Sequence, residues 1–421
     1  MAQTMTEKIL SSGAGRQVYA GDVVTVGVDL LMVNDITGTL ALKVFKELEE
    51  AGATVKNPDR VAIVLSHFTP AKDIASANNC AALRRFAKKY RIGKFFEFEN
   101  GGIEHALLPE CGIARPGMII TGADSHSCTY GALNAFSTGI GSTEAAAIMA
   151  TGQLWLKVPE AIRFDVNGKF QRGVFSKDII LSVIGKLGVD GALYRAMEWS
   201  GGTFAGISMD ARLTIANMAV EAGAKNGIMQ GDKVTEKYVK ARTATPFKMH
   251  VADEGANYIS QMDIDAASLE PMIAHPNSPA NVKTVSESSG IGVDYVYIGS
   301  CTNGRYEDIE IAAKIMKGKK VKARTIVVPA TQNIYRQALD SGILSIFANA
   351  GCVIAPPTCG ACLGGHMGVV SDGEVCVSST NRNFVGRMGS PKGKVFLASP
   401  ATCAATAING KITDPREFIR Q

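Results

Sequence analysis

The stretch VDYVYIGSCTNGRYED, residues 293–308, holds the unit from which the fold is read. Its first seven residues are rich in β-branched and aromatic side chains and read as a buried strand. Glycine and serine break the strand, Cys301 follows at once, and an apolar-periodic helix is predicted over 306–317. Working outward, RVAIVL (60–65), GMIITG (117–122), AIRFDVNG (161–168), ARTIVVP (323–329) and EVCVSS (374–379) read as strands of the same kind. Helices are predicted between them over 39–51, 73–90, 142–156, 177–187, 211–223 and 331–341. This alternation specifies an α/β architecture with mainly parallel sheets, in which ligands sit beyond the carboxyl ends of strands. Breaks after WLKVPE (155–160) and within the Pro- and Asn-rich AHPNSPANV (274–282) suggest three domains: 1–160, 161–281 and 282–421.

Bulk properties narrow the class. With 421 residues, 46% hydrophobic and 20% charged, the chain is an ordinary globular protein too long for one core. Its longest apolar runs, such as VAIVL at 61–65, are too short to span a bilayer. The N-terminus, MAQTMTEKIL, lacks an apolar core, so no secretory signal is expected and the expected location is cytoplasmic. The net charge of +5 is spread over scattered Lys and Arg residues with no basic, aromatic-interleaved tract. Nucleic acid is therefore a poor partner, and a small anion a better one. Nine cysteines in a cytosolic chain point away from disulfides, toward metal ligands, a reactive thiol or buried apolar positions.

Three of them stand out. Cys301 lies between a strand and a helix, and Cys359 and Cys362 form CGAC inside the glycine-rich PPTCGACLGGHMG. Backbone N–H groups at such turns favour thiolate. Zinc would want a fourth ligand, which His366 offers, but gives no reason for so much glycine. A dithiol redox pair would leave Cys301 idle. Plain buried cysteines remain open, as does an iron–sulfur cluster held at three corners with one iron exposed. The string TGIGSTEAA (138–146) lacks the full dinucleotide-binding spacing and reads as a turn capping a helix through Ser142 or Thr143.

The strings IGSCTNGRYED, PTCGACLGG and STNRNFVGRMGSP resemble the cluster-binding half of the aconitase superfamily, and TGADSHSCTYGALNAFSTGIGSTE and LTIANMAVEAGAK resemble its first half. The likeness spans nearly the whole chain, which in particular resembles the separate large subunits of isopropylmalate dehydratase, homoaconitase and dimethylmalate dehydratase. It implies three α/β/α domains around a central [4Fe-4S] cluster bound by Cys301, Cys359 and Cys362. It also implies a small subunit that supplies a fourth domain with the catalytic serine base and further arginines. The implied activity is the removal and re-addition of water on an alkylmalate-type hydroxy acid, with isopropylmalate first by base rate. An RNA-binding iron sensor is the alternative of another class, disfavoured by the missing basic groove.

The resemblance assigns further residues. Asp124 and His126 of GADSHS, with His105 of GGIEHALLPE, would bond the water at the open iron, assisted by Glu198 of AMEWSGG. Arg382 and Arg387 of TNRNFVGR would clamp a carboxylate through paired hydrogen bonds, with Asn381 beside them and Asn303 next to Cys301 bonding cluster or substrate. His67 of LSHFTP would pass a proton to the leaving hydroxyl. Here the chain departs from the family, which carries Asp before this histidine where this chain carries Ser66. Without that carboxylate the imidazolium should be less favoured and the His67 pKa lower. The remaining cysteines, Cys128 included, are expected to be buried and structural.

Overall fold

The computed structural model describes residues 1–419 and contains three mainly parallel sheets and one antiparallel strand pair. The first sheet runs, edge to edge, Lys94–Phe96, Val61–Val64, Leu30–Asn34, Ile119–Gly122, Phe136–Gly139, with every pairing parallel. Its central strands are buried along their whole length, as strands covered by helices on both faces must be. The second sheet is Asn226–Met229, Ala196–Ser200, Ala161–Asn167, Ser260–Asp265, again all parallel. In the seven-stranded third sheet, Lys394–Ala398, Val375–Ser378, Tyr295–Ile298, Arg324–Val327 and Val353–Ile354 are parallel, and Met272–Ala274 and Val282–Thr284 add an antiparallel edge. No helix among the described residues is long and apolar enough to cross a membrane.

Three sequence expectations meet a different outcome. The helix expected over 142–156 ends at Thr151, where Gly152 turns left-handed at φ 73°. The next residues form the strand Gln153–Lys157, paired antiparallel with Val23–Gly27 and burying Leu154 and Leu156 while Trp155 faces out. The helix is capped by Gly141, whose N–H donates to the Glu144 carboxylate, rather than by Ser142 or Thr143. The second boundary also differs from sheet membership, because Met272–Ala274 already pairs with Lys394–Ala398. The Pro- and Asn-rich stretch is the loop of an antiparallel hairpin inside the third sheet, closed by His275 N–H on the Asn281 carbonyl at 2.7 Å. Turn residues look alike in a hairpin and in a linker.

Candidate active site

The carboxyl ends of first-sheet strands and of the third-sheet strands Tyr295–Ile298 and Val375–Ser378 face a common cavity of about 210 Å³. His67, His105, Asp124 and His126 line it from one side, and Cys301, Cys359, Cys362, Asn381, Arg382 and Arg387 from the other.

The Cys301 position depends on a tight elbow. Gly299 has φ 152° and Ser300 φ 81°, and a Cβ on Gly299 would meet the Val328 carbonyl at 2.6 Å. Only a strained turn brings the strand directly into the helical turn Ser300–Asn303, and such backbone costs on the order of 1–3 kcal/mol. Gly360, at φ 59°, lets the CGAC loop settle on Tyr297, whose hydroxyl lies 2.8 Å from where a Cβ would stand. That loop is tied to the first sheet: Cys359 N–H donates to the Ser66 carbonyl at 2.8 Å, and Thr358 Oγ1 donates to the carbonyls of Ser66 and His67. The amides of Asn217 and Asn381 donate to Cys301 Sγ at 3.3 and 3.4 Å.

His67 has a carboxylate partner after all. Asp35, fully buried just past the strand Leu30–Asn34, accepts His67 Nδ1 at 3.2 Å and the backbone N–H groups of Ser66, His67 and Phe68. The Ser66 hydroxyl lies 2.9 Å from the same Nδ1. Burial lowers the His67 pKa, but the carboxylates of Glu104, Asp35 and Asp124 outweigh it and raise the value to about 9. The expected lowering is thus reversed, because Asp35 fills from another strand the place that Ser66 leaves empty. The Asp35 carboxyl is penalised by burial and still held below the usual range by His67 and the surrounding N–H groups.

The other imidazoles are fixed in the same way. His105 Nε2 donates to Asp124 at 2.8 Å while Tyr130 Oη sits 3.1 Å from its Nδ1. Asp124 also accepts the His126 N–H at 2.8 Å, so it both caps the turn Ser125–Leu133 and orients an imidazole. Burial works against the Asp124 charge, but the hydrogen bonds of His105 and His126 hold its carboxyl well below the usual range. His126 Nε2 donates to Glu221 at 2.9 Å, and Glu221 accepts Arg382 Nε at 2.9 and 3.0 Å. Burial and the Arg382 charge depress the His126 pKa, and Asp124 and Glu221 raise it on balance.

Arg382, His126 and Glu221 thus make one buried chain from the third sheet to the first. The family profile described as the aconitase family (aconitate hydratase) matches residues 7–410. The chain belongs to the aconitase family. Over 420 residues it is 54% identical to a 3-isopropylmalate dehydratase large subunit of Caldicellulosiruptor bescii, covering 99% of this chain and 97% of that one. The protein of the same description from Aquifex aeolicus is 52% identical over 100% of this chain and 98% of its own. That from Clostridium kluyveri is 52% identical with both chains covered in full.

The residues present fit a cluster of the kind expected in this family. Burial raises the Cys301 thiol, and Cys359 is raised by its hydrogen bond to Cys362 and by burial, while that bond lowers Cys362 to about 6. Three thiolates crowded into one small space need a bound cationic group to be stable together. His366, the fourth ligand a zinc site would want, does not line the cavity and has its Nε2 on the Pro70 carbonyl at 2.6 Å. The fourth zinc ligand that the sequence offered is therefore not at the cavity.

Two expected residues do not reach the cavity. Glu198 is buried rather than solvated, and caps the helix Met5–Ala14 by accepting the N–H groups of Met5 and Thr6 at 3.1 and 2.7 Å. The acid in contact with this histidine network is Glu221, inside the quoted motif LTIANMAVEAGAK but unassigned from sequence. Asn303 turns away from the cavity toward Lys177, Thr214 and Asp308. Asn381 lines the cavity but spends its amide on Cys301 and Thr302. Of the other cysteines, Cys111 is exposed and the rest are buried; Cys128 donates to the Asn217 carbonyl and does not line the cavity.

Proposed function

We propose that this chain is the large subunit of a two-subunit hydro-lyase that interconverts 3-isopropylmalate and 2-isopropylmalate by removing and re-adding water. The single observation that carries this reading is the convergence of three thiols, three carboxylate-bound imidazoles and two guanidiniums on one cavity. The relatives, 52–54% identical along the whole chain, support this substrate. Ser66 in place of the family's Asp gives no reason to expect a different acid, because His67 keeps a carboxylate partner in Asp35.

A four-iron cluster on Cys301, Cys359 and Cys362 would supply a Lewis-acidic iron that no thiolate covers, polarising a hydroxyl and a carboxylate without redox change. The chain's own groups do the rest. His67, cationic near neutrality, has Nδ1 occupied by Asp35 and Ser66, which leaves Nε2 to give a proton to a departing hydroxyl. Asp124, fixed through one oxygen by His105 and the His126 N–H, and His126, with Nε2 on Glu221, keep the other carboxylate oxygen and Nδ1 to hold the expelled water for its return. Arg387 presents a buried Nε with no protein partner among the described residues, and Arg382 has only Nε engaged, so both forks retain donors for a carboxylate. The base that takes the carbon-bound proton is assigned to the small subunit.

The test is an anaerobic assay of 3-isopropylmalate dehydration with and without the small subunit, together with iron and sulfide analysis. About four sulfides per chain and turnover only in the mixed sample are expected. Turnover by this chain alone, or a sulfide-free protein that is active, ends the proposal.

A further inference from the structure

Lys177 opens the helix Ser176–Leu187 with a fully buried side chain. Its Nζ donates to Asn303 Oδ1 at 3.2 Å and to the carbonyls of Ser379 and Thr380 at 3.0 and 2.6 Å. All three acceptors are neutral, and no carboxylate among the described residues forms a salt bridge with it. Buried lysines are rare unless paired, so the missing partner calls for a physical reason. Asp178, the next residue, spends its carboxylate on the N–H groups of Phe175 and Met272, and Asp308 is reached only through the Asn303 amide at 2.9 Å, with burial pushing its carboxyl up to about 7.

The acceptors show where the charge is directed. Asn303 is two residues from Cys301 in the same helical turn. Thr380 precedes Asn381, whose amide donates to Cys301 Sγ, and Arg382 follows. The ammonium thus joins the two third-sheet segments that present a thiol and a guanidinium to the cavity. Burial lowers its pKa to about 8, against the charges of Cys403, Asp308, Cys362 and Cys301.

We propose that Lys177 is a positioning residue that serves as the buried counter-charge of the three-cysteine site, stabilising the anionic thiolate-bound cluster and raising its reduction potential. This rests on the cluster reading given above. A cluster with three thiolates is an anion whose charge grows on reduction, so a fixed cation nearby favours the reduced form and resists loss of the assembly. A Lys held only for its hydrogen bonds would have no such effect.

The experiment compares the anaerobically purified holoenzyme with Lys177→Gln, which keeps a donor and loses the charge, and Lys177→Arg, which keeps the charge. Iron and sulfide content, thermal unfolding and an EPR-monitored redox titration are read on each. Lys177→Gln should shift the reduction equilibrium downward about tenfold, about 59 mV for one electron, while Lys177→Arg stays within about threefold of wild type. A folded Gln variant that takes up no cluster beside a loaded Arg variant supports the counter-charge equally. A loaded Gln variant at the wild-type potential overturns it, as does an Arg variant shifted as far as Gln. If Gln does not fold, Arg decides, with a wild-type potential in favour and a tenfold shift against. Two folded but empty variants, or two unfolded ones, make the residue purely structural and overturn the proposal. Wild-type protein without iron and sulfide instead sinks the cluster reading itself, whatever the variants do.

Discussion

On the first-sheet side of the cavity every imidazole is tied to a carboxylate: His67 to Asp35, His105 to Asp124, His126 to Glu221. On the third-sheet side most partners are neutral or missing: Cys301 receives two amide N–H groups, the Lys177 ammonium reaches from the neighbouring helix to Asn303 Oδ1 and the Ser379 and Thr380 carbonyls, and Arg387 Nε has no partner among the described residues. The first side is electrostatically finished before a ligand arrives, with rings fixed and charges balanced. The third side is completed by what binds, thiolates by a metal group and guanidiniums by carboxylates. The Arg382–Glu221 ion pair, continued by the Glu221 bond to His126, links the charged groups of the two sides.

Emptying the third side should have the largest effect. Cys301→Ser is expected to abolish cluster absorbance and reduce turnover by about a thousandfold or more, read by iron analysis and the dehydration assay. Full iron content in this variant would break the three-thiolate reading. Cutting the crossing pair comes next. Glu221→Gln leaves a buried guanidinium uncompensated and should cost about 3 kcal/mol of stability by urea unfolding, with a raised Michaelis constant. Unchanged stability would show that the two sides are independent.

On the first side, Asp35→Asn should lower kcat about a hundredfold at pH 8 and move the basic limb of the pH profile toward neutrality. The sign follows from the raised value: with a folded pKa of about 9, His67 keeps its proton through neutral pH. Its pairing stabilises the fold fully below about 6.5, and that contribution is lost as pH rises through about 9. An unmoved basic limb would falsify the Asp35 role. Arg382→Lys should raise the Michaelis constant about thirtyfold with iron content intact; an unaltered constant removes it from substrate binding. Ser66→Ala should cost less than about threefold, since Asp35 holds the ring without it, and a larger loss would give the hydroxyl a part of its own.

Much of the site was legible because Cys301, His67, Asp124 and His126 each follow a recognisable buried strand. What escaped were partners distant in sequence. Sequence reading took adjacency as the measure of pairing, so Ser66 beside His67 suggested a missing carboxylate. The chain draws it from Asp35, 32 positions away, past the short strand Leu30–Asn34 that was not recognised. Glu198 and Glu221 are both buried acids, and only their neighbours separate a helix cap from a histidine partner. Asn303 lies within two residues of Cys301, yet the direction of its side chain is set by Lys177 from the second sheet's helix. In the fold, the parallel alternation was visible, whereas the Gln153–Lys157 strand and the hairpin around residue 277 were masked by helix-like and linker-like composition.

The bond from Thr358 to the Ser66 carbonyl joins positions 292 residues apart. Closing so long a loop is entropically costly and slow, which makes the completed cavity a late event on the folding pathway. A nascent chain still short of its last hundred residues carries all three site imidazoles and their carboxylates but lacks two of the three cysteines and both guanidiniums.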